Sequence, residues 1–175
     1  MIHIYCGDGK GKTTAAIGLA VRAAGRGISV VIARFLKNDD SGEVISLRHV
    51  PGIEVIPCER SFGFTWNMTE EDKKEAALYY QSLFERTFAH ALEVLEKSGS
   101  VLLVLDELMA AIKNGFVQEE MVLEALKRAP SGLEVVMTGR DPGQALVDLA
   151  DYVSDISPKK HPYEHGIAAR CGIEY

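Results

Sequence analysis

The feature that most constrains this chain is Cys6-Gly7-Asp8-Gly9-Lys10-Gly11-Lys12-Thr13-Thr14. It follows an apolar run from Ile2 to Cys6 and opens a helical pattern near Lys12. A strand, a glycine-rich loop and a helix in that order make a phosphate cradle. The loop N–H groups converge on phosphate oxygens, and the helix N-terminus adds positive potential. Lys12 stands where a lysine reaches the outer phosphates, and Thr13 where a hydroxyl ligates Mg²⁺. The usual spacing, G-x-x-x-x-G-K-[ST], would put a glycine at Cys6. Here the first glycine is Gly7, so the loop is one residue shorter. Gly7, Asp8, Gly9, Lys10, Gly11, Lys12, Thr13 and Thr14 are expected to bind a nucleotide. The alternative is a glycine-rich turn with no ligand.

The rest of the chain alternates strand and helix patterns. Residues 12–26 read as a helix with Ala16, Leu19, Ala20 and Ala23 on one face, ended by Gly25 and Gly27. Residues 29–36 are nearly continuous apolar, as in a strand covered on both faces. A polar loop (37–43), a short helix (44–50) and a strand (53–58) follow. Thr69 with Asp72 is a capping signature opening a long helix to about residue 97. Residues 101–105 form the most apolar strand candidate and end in Asp106-Glu107. A helix (117–128), a strand (133–138), a short helix (143–149) and a last strand (152–156) complete the pattern. The tail, 157–175, has little period. Such alternation implies right-handed β–α–β crossovers. The expected fold is a single α/β domain over 1–175, P-loop NTPase-like (RecA-like), with a mostly parallel sheet and helices on both faces. Ligands of such sheets bind at the carboxyl ends of the strands. The glycine loop, Asp106-Glu107, Gly139-Arg140 and the polar loop after Leu36 should therefore meet at one edge.

Composition excludes several classes. At 175 residues, 47% hydrophobic and 25% charged, the chain suits one domain with a proper core. A net charge of −6 argues against a sequence-independent nucleic-acid binder. No apolar run approaches the ~20 residues that span a membrane. The N-terminus enters a strand with no leader pattern. Cys6, Cys58 and Cys171 are odd in number, widely spaced and lack C-x-x-C pairing. A cytoplasmic, reduced, zinc-free protein is expected.

Asp106 and Glu107, at the end of a neighbouring strand, can hold Mg²⁺ opposite Thr13, directly or through water. The bland alternative is a solvated acidic strand end. Arg140 can steady charge developing on a phosphate chain. No convincing Ser/His/Asp set is present. His161 and His165 are four apart, but Pro158 and Pro162 disfavour the helix that would make them a metal pair. A P-loop ATPase or small-molecule kinase is one reading of these residues. The segment Ser61-Phe62-Gly63-Phe64-Thr65-Trp66-Asn67 fits it less well, because it gathers three aromatics in a loop. Those rings either pin the loop to the core or offer a platform for a flat, partly apolar ligand.

Gly-Asp-Gly-Lys-Gly-Lys-Thr-Thr, Phe-Gly-Phe-Thr-Trp, Val-Leu-Asp-Glu-Leu, Met-Thr-Gly-Arg and the terminal Lys-His-Pro-Tyr-Glu-His-Gly-Ile-Ala-Ala-Arg-Cys-Gly-Ile-Glu-Tyr occur in order from Ile2 to Tyr175. Together they resemble the P-loop corrinoid adenosyltransferase family, which acts on cob(I)alamin or cob(I)yrinic acid a,c-diamide. The resemblance implies that ATP and a corrinoid are substrates. Reduced cobalt is the nucleophile at the ribose 5′ carbon, and triphosphate leaves. No protein nucleophile is then expected. Lys12 and Lys10, the loop and Mg²⁺ would neutralise the leaving group.

By the same resemblance Phe64 and Trp66 would pack under the corrin and displace its lower axial ligand, letting a flavoprotein donor reduce the cobalt. Thr13 and Glu107, with Asp106 as a second candidate, would contact the metal. Arg140 and the tail at His161 and Tyr163 would lie near nucleotide or corrinoid. A homodimer is implied. Many members carry an extension before the first strand that covers the site. Here the tail or the loop 59–67 would serve, or the site would be more open.

Overall fold

The computed structural model describes residues 1–63 and 65–174, without the side chains of Trp66, Tyr163 and Glu164. Six strands form one sheet in the order β3-β2-β4-β5-β1-β6: β1 (Ile2–Cys6), β2 (Ser29–Arg34), β3 (Ile53–Val55), β4 (Val101–Asp106), β5 (Leu133–Thr138) and β6 (Tyr152–Asp155). Every pairing is parallel. All six carboxyl ends therefore point to the same edge, and the register aligns Arg34 with Asp106, Tyr5 with Thr138 and Cys6 with Asp155.

Alternate side chains feed two cores, as the two-residue period of a strand requires. Val30, Ile32, Leu102, Val104 and Val136 pack with Ala16, Ala20 and Ala23 of α1 (Lys12–Ala24) and Leu47 of α2 (Gly42–Leu47). Val31, Ala33, Leu103, Leu105, Val135 and Met137 pack on the other face. That layer is built by α3 (Glu70–Ser98), α4 (Leu108–Lys113), α5 (Glu119–Lys127) and α6 (Gln144–Leu149). The small residues of α1 let its axis lie close to the sheet, which sets the glycine loop directly over the strand ends.

Local chemistry explains the helix ends. Thr69 and Asp72 form a reciprocal capping box, each side chain bonded to the other's backbone N–H, at 3.1 and 2.9 Å. The helix stops at Gly99, whose left-handed φ of 75° closes its C-terminus. Two differences from the sequence pattern have physical causes. β3 ends at Val55 rather than at residue 58, because Pro57 has no N–H for the ladder and the Cys58 N–H is taken by Asp39 Oδ1 at 3.1 Å. Helix α4 was not anticipated. It has six residues, of which Leu108, Met109 and Ala111 are buried, too short a run to display a period. Among the described residues, no helix is long and apolar enough to cross a membrane.

Candidate active site at the carboxyl edge of the sheet

The glycine loop leaves β1 and is clamped by the chain leaving β6. A Cβ on Gly7 would stand 2.3 Å from Asp155 Oδ1, and one on Gly9 would stand 2.5 Å from the Ile156 carbonyl oxygen. The Gly9 N–H donates to that carbonyl at 2.7 Å. Cys6, where a longer loop would carry glycine, stays in the β1 ladder and is buried. Burial pushes its thiol pKa up. Lys12, the first residue of α1, is buried, and its ammonium donates to the carbonyls of Gly7 (2.7 Å) and Gly9 (3.0 Å). The lysine thus spans the mouth of its own loop.

Beside it lies a cluster of four side chains. Asp106, with 0% exposure, ends β4. Its Oδ1 accepts from Thr13 Oγ1 at 2.8 Å and from Thr138 Oγ1 at 2.7 Å. Its Oδ2 accepts from Lys37 Nζ at 2.6 Å, and Lys37 also donates to Thr13 Oγ1 at 2.9 Å. A buried carboxylate persists only when its acceptors are filled and a counter-charge is near, and both conditions hold here. The oxygen pair Thr13–Asp106 already holds a cationic group, so its donor set fits a small hard cation.

Glu107 sits at the edge of this cluster. Its backbone turns through the left-handed region (φ 60°) to start α4, and its N–H donates to Thr138 Oγ1 at 2.9 Å. Of the two adjacent acids it is Asp106, ranked second from the sequence, whose carboxylate lies on Thr13. Lys37 and Thr138 carry no motif that marks them as site residues. Thr138 ends β5 and Lys37 opens the polar loop that follows β2, both strands adjoining β4, so the strand-end and loop positions are the signal that marks them.

The remaining candidates rim the cluster. Arg140 Nε lies 3.3 Å from Asp8 Oδ1, both exposed, so Arg140 rests on the outside of the loop. Buried Arg34 bonds to the Asn38 carbonyl and to Asp39, and orders the loop after β2. In the aromatic segment, Phe62 packs on Tyr79 and Tyr80 at 5.7 and 5.8 Å, with Arg60 over its ring. Phe62 therefore pins the loop to the core. Thr65–Asn67 forms a 3₁₀ turn beyond it. Phe64 and the Trp66 side chain lie outside the described residues.

The tail returns over the loop. Gly9, Lys10, Lys160, His161, Arg170 and Glu174 line a cavity of about 430 Å³. Leu36, Lys37, Ser41, Gly63 and Glu174 line another of about 410 Å³. A third, about 280 Å³, lies against Thr13, Thr14, Lys37 and Glu174. Glu174 borders all three, and its hydrogen bond from Arg170 lowers its carboxyl pKa to about 2. Residues Pro162–His165 form a 3₁₀ turn with about three residues per turn, so His161 and His165 do not gain the facing i, i+4 geometry of an α-helix. Tyr163's side chain lies outside the described residues.

A family model described as ATP:corrinoid adenosyltransferase BtuR/CobO/CobP matches residues 1–175. The corrinoid adenosyltransferase of Escherichia coli K12 is 33% identical over 175 residues, covering 100% of this chain and 85% of that protein. The corrinoid adenosyltransferase of Pseudomonas aeruginosa is 34% identical, covering 100% of this chain and 83% of that protein. Among solved structures, the chain resembles EssC (ATPases 2 and 3) from Geobacillus thermodenitrificans with TM-score 0.54 at 14% identity, over 98% of this chain and 34% of that one. It also resembles Thermomonospora curvata EccC (ATPases 2 and 3), with TM-score 0.52 at 15% identity, over 89% of this chain and 30% of that one. The chain spans about a third of each of those structures, and at such identities the likeness concerns the fold.

Proposed function

Because this chain belongs to the ATP:corrinoid adenosyltransferase family, we propose that its carboxyl sheet edge transfers the 5′-deoxyadenosyl group of ATP to the reduced cobalt of a corrinoid, in cobalamin biosynthesis or salvage. The observation that carries this reading is the cluster of Thr13, Asp106, Lys37 and Thr138 beside the glycine loop, in a chain that matches the family along its whole length. In the transfer, the cobalt electron pair forms a bond to C5′. The C5′–O bond breaks, and inorganic triphosphate departs with its electrons. No proton need move, so no protein base is required. Catalysis then rests on orientation and on charge stabilisation at the leaving group.

Each residue has a role in that scheme. Lys12 exchanges its loop carbonyls for triphosphate oxygens. The N–H groups of the loop from Gly7 to Gly11, except that of Gly9, which the Ile156 carbonyl holds, cradle the phosphates with Thr14 near the start of α1, and Lys10 and Arg140 close on them from outside, with Asp8 holding Arg140. Thr13 and Asp106 would hold Mg²⁺, with Glu107 within one residue of it. When bound, the ion would neutralise charge on the triphosphate. Phe64 and Trp66 are assigned to the corrin face, beyond the loop that Phe62 anchors. Lys10, His161 and Arg170 line the cavity under the tail, which would cover the bound nucleotide. Residues 1–175 act as one domain, in a cytoplasmic homodimer supplied with electrons by a flavoprotein.

The test is direct. Protein, Mg-ATP and chemically reduced corrinoid should yield adenosylated corrinoid and inorganic triphosphate. Formation of ADP and phosphate alone, with no spectral change in the corrinoid, would favour a P-loop ATPase or kinase instead. Running the assay with cobalamin, cobinamide and cobyrinic acid a,c-diamide identifies the substrate.

A further inference from the structure

Lys37 is placed by a strained turn. Leu36 has φ 55°, in the left-handed region that a leucine enters only at a cost. The turn follows Phe35, whose N–H still donates to the Asp106 carbonyl at 2.9 Å, so the chain breaks away at the end of β4. The Lys37 carbonyl is held in turn by Cys58 Sγ at 2.9 Å. From this position its ammonium reaches back to Asp106 Oδ2 and Thr13 Oγ1.

The three groups are bonded to one another in a closed set. Thr13 Oγ1 gives its hydrogen to Asp106 Oδ1 and receives one from Lys37. The ammonium engages one of the two lone pairs of that hydroxyl, so a metal that took the other would stand beside a positive charge. A magnesium ion about 2.1 Å from this oxygen and a lysine nitrogen 2.9 Å from it would crowd and repel each other. Lys37 can leave, since 29% of its side chain is exposed, beside the cavity it shares with Thr13 and Thr14. Asp106 cannot follow it, being buried at the strand end.

We propose that Lys37 is the resident counter-cation of the metal position. It neutralises Asp106 and holds Thr13 in the free protein, and it yields both oxygens only when metal and triphosphate arrive together, then turning onto the phosphate chain. The inference rests on the nucleotide–metal reading above and adds an order of binding to it. A bare divalent ion must displace an ammonium from a neutral pair and leave that charge beside itself. A metal–triphosphate brings the anion that receives it.

Mn²⁺ alone, followed by electron paramagnetic resonance, is the probe. Lys37→Met keeps the length of the side chain without its charge, and Lys37→Arg keeps the charge. Wild type and Lys37→Arg should bind bare Mn²⁺ weakly, and Lys37→Met about tenfold or more tightly than either, as expected when a like charge a few ångströms away is removed. With inorganic tripolyphosphate present the order should reverse, Lys37→Met binding the Mn²⁺ complex about tenfold more weakly for want of a phosphate-facing cation. Equal affinity of wild type and Lys37→Met for bare Mn²⁺ overturns the proposal. If Lys37→Met folds poorly, thermal melts decide the question: Mn²⁺ should raise the melting temperature of that variant and not of wild type, and no selective rise overturns the proposal. No corrinoid is involved. Failure of wild type to bind Mn²⁺-tripolyphosphate would count against the nucleotide reading, while the bare-ion comparison still decides the role of Lys37.

Discussion

The Gly9 amide and the Ile156 carbonyl, 147 positions apart in the chain, are joined by a 2.7 Å hydrogen bond. The phosphate loop is therefore shaped from outside, by the chain that leaves β6, as well as by its own glycines. A side chain at Gly9 would stand 2.5 Å from that carbonyl oxygen, which is backbone and cannot rotate away.

Gly9→Ala should consequently displace the loop from β6. We expect a loss of stability of roughly 1–3 kcal/mol, the range for forced overpacking, and weakened ATP binding. Gly18→Ala is the control, because a Cβ there meets nothing within 4 Å. Denaturant unfolding and nucleotide titration on both variants measure the effect. Unchanged ATP affinity in Gly9→Ala would show that the clamp does not set the loop.

Asp106→Asn removes the charge from a group that accepts three hydrogen bonds at 0% exposure. The expected cost is about 3 kcal/mol, tempered by the freedom of Lys37 to swing into solvent. Transfer activity should fall at least about tenfold, since the carboxylate that would hold the metal opposite Thr13 becomes a neutral amide. Glu107→Gln, whose backbone is held independently by Thr138, should unfold close to wild type. Comparing the two by urea titration separates the structural acid from its neighbour.

Tyr80 links the core to alkaline sensitivity. Its hydroxyl pKa is pushed up to about 12, chiefly by burial, with Cys58 and Tyr79 adding to the rise. An unfolded tyrosine ionises near pH 10. Below pH 10 both states keep the proton and stability is unaffected by this group. Between about 10 and 12 the unfolded chain releases its proton first, so stability falls as pH rises, by roughly 2–3 kcal/mol in all. Tyr80→Phe should flatten that part of the curve. Melting temperatures from pH 9 to 12 for both proteins would reveal it, and parallel curves would refute it.

Thr69→Ala removes the hydroxyl that accepts the Asp72 N–H, one half of the capping box at the start of α3, while the backbone N–H of residue 69 still donates to Asp72. A loss of about 1 kcal/mol is expected from the exposed N-terminus. The effect belongs to the scaffold, so kinetic constants for transfer should stay near wild type while the unfolding midpoint falls.

Much of this arrangement was legible because its signals are local. The apolar runs of β2, β4 and β5, the helical periods of α1 and α3, and the glycine loop each depend on neighbours within a few residues. The correspondence of β5 with residues 133–138, and of α3 with its Thr69–Asp72 start, follows from that locality. The end of β3 and the helix α4 are not legible in the sequence, because the deciding partner is distant or the segment is short. Asp39 takes the Cys58 N–H from 19 positions away, and the six residues of α4 take their shape from the sheet they cover.

By itself the sequence determined that the glycine loop, Lys12, Thr13 and the acidic end of β4 gather at one edge of a parallel sheet. Glycine spacing, the Lys12-Thr13 pair and the apolar run ending in Asp106 are enough for that, because parallel strands bring their carboxyl ends together. Only the tertiary structure decided which side chains meet there. Asp106 and Thr138 end the adjoining strands β4 and β5, and Lys37 comes from the loop after β2 on the other side of β4, so sheet order brings them together. The folded chain also showed that Asp106, rather than Glu107, bears on Thr13. The last strand residue points into the edge, while the next is turned into the left-handed start of a helix. Side-chain direction at a strand end depends on backbone torsion, and residue type does not encode it.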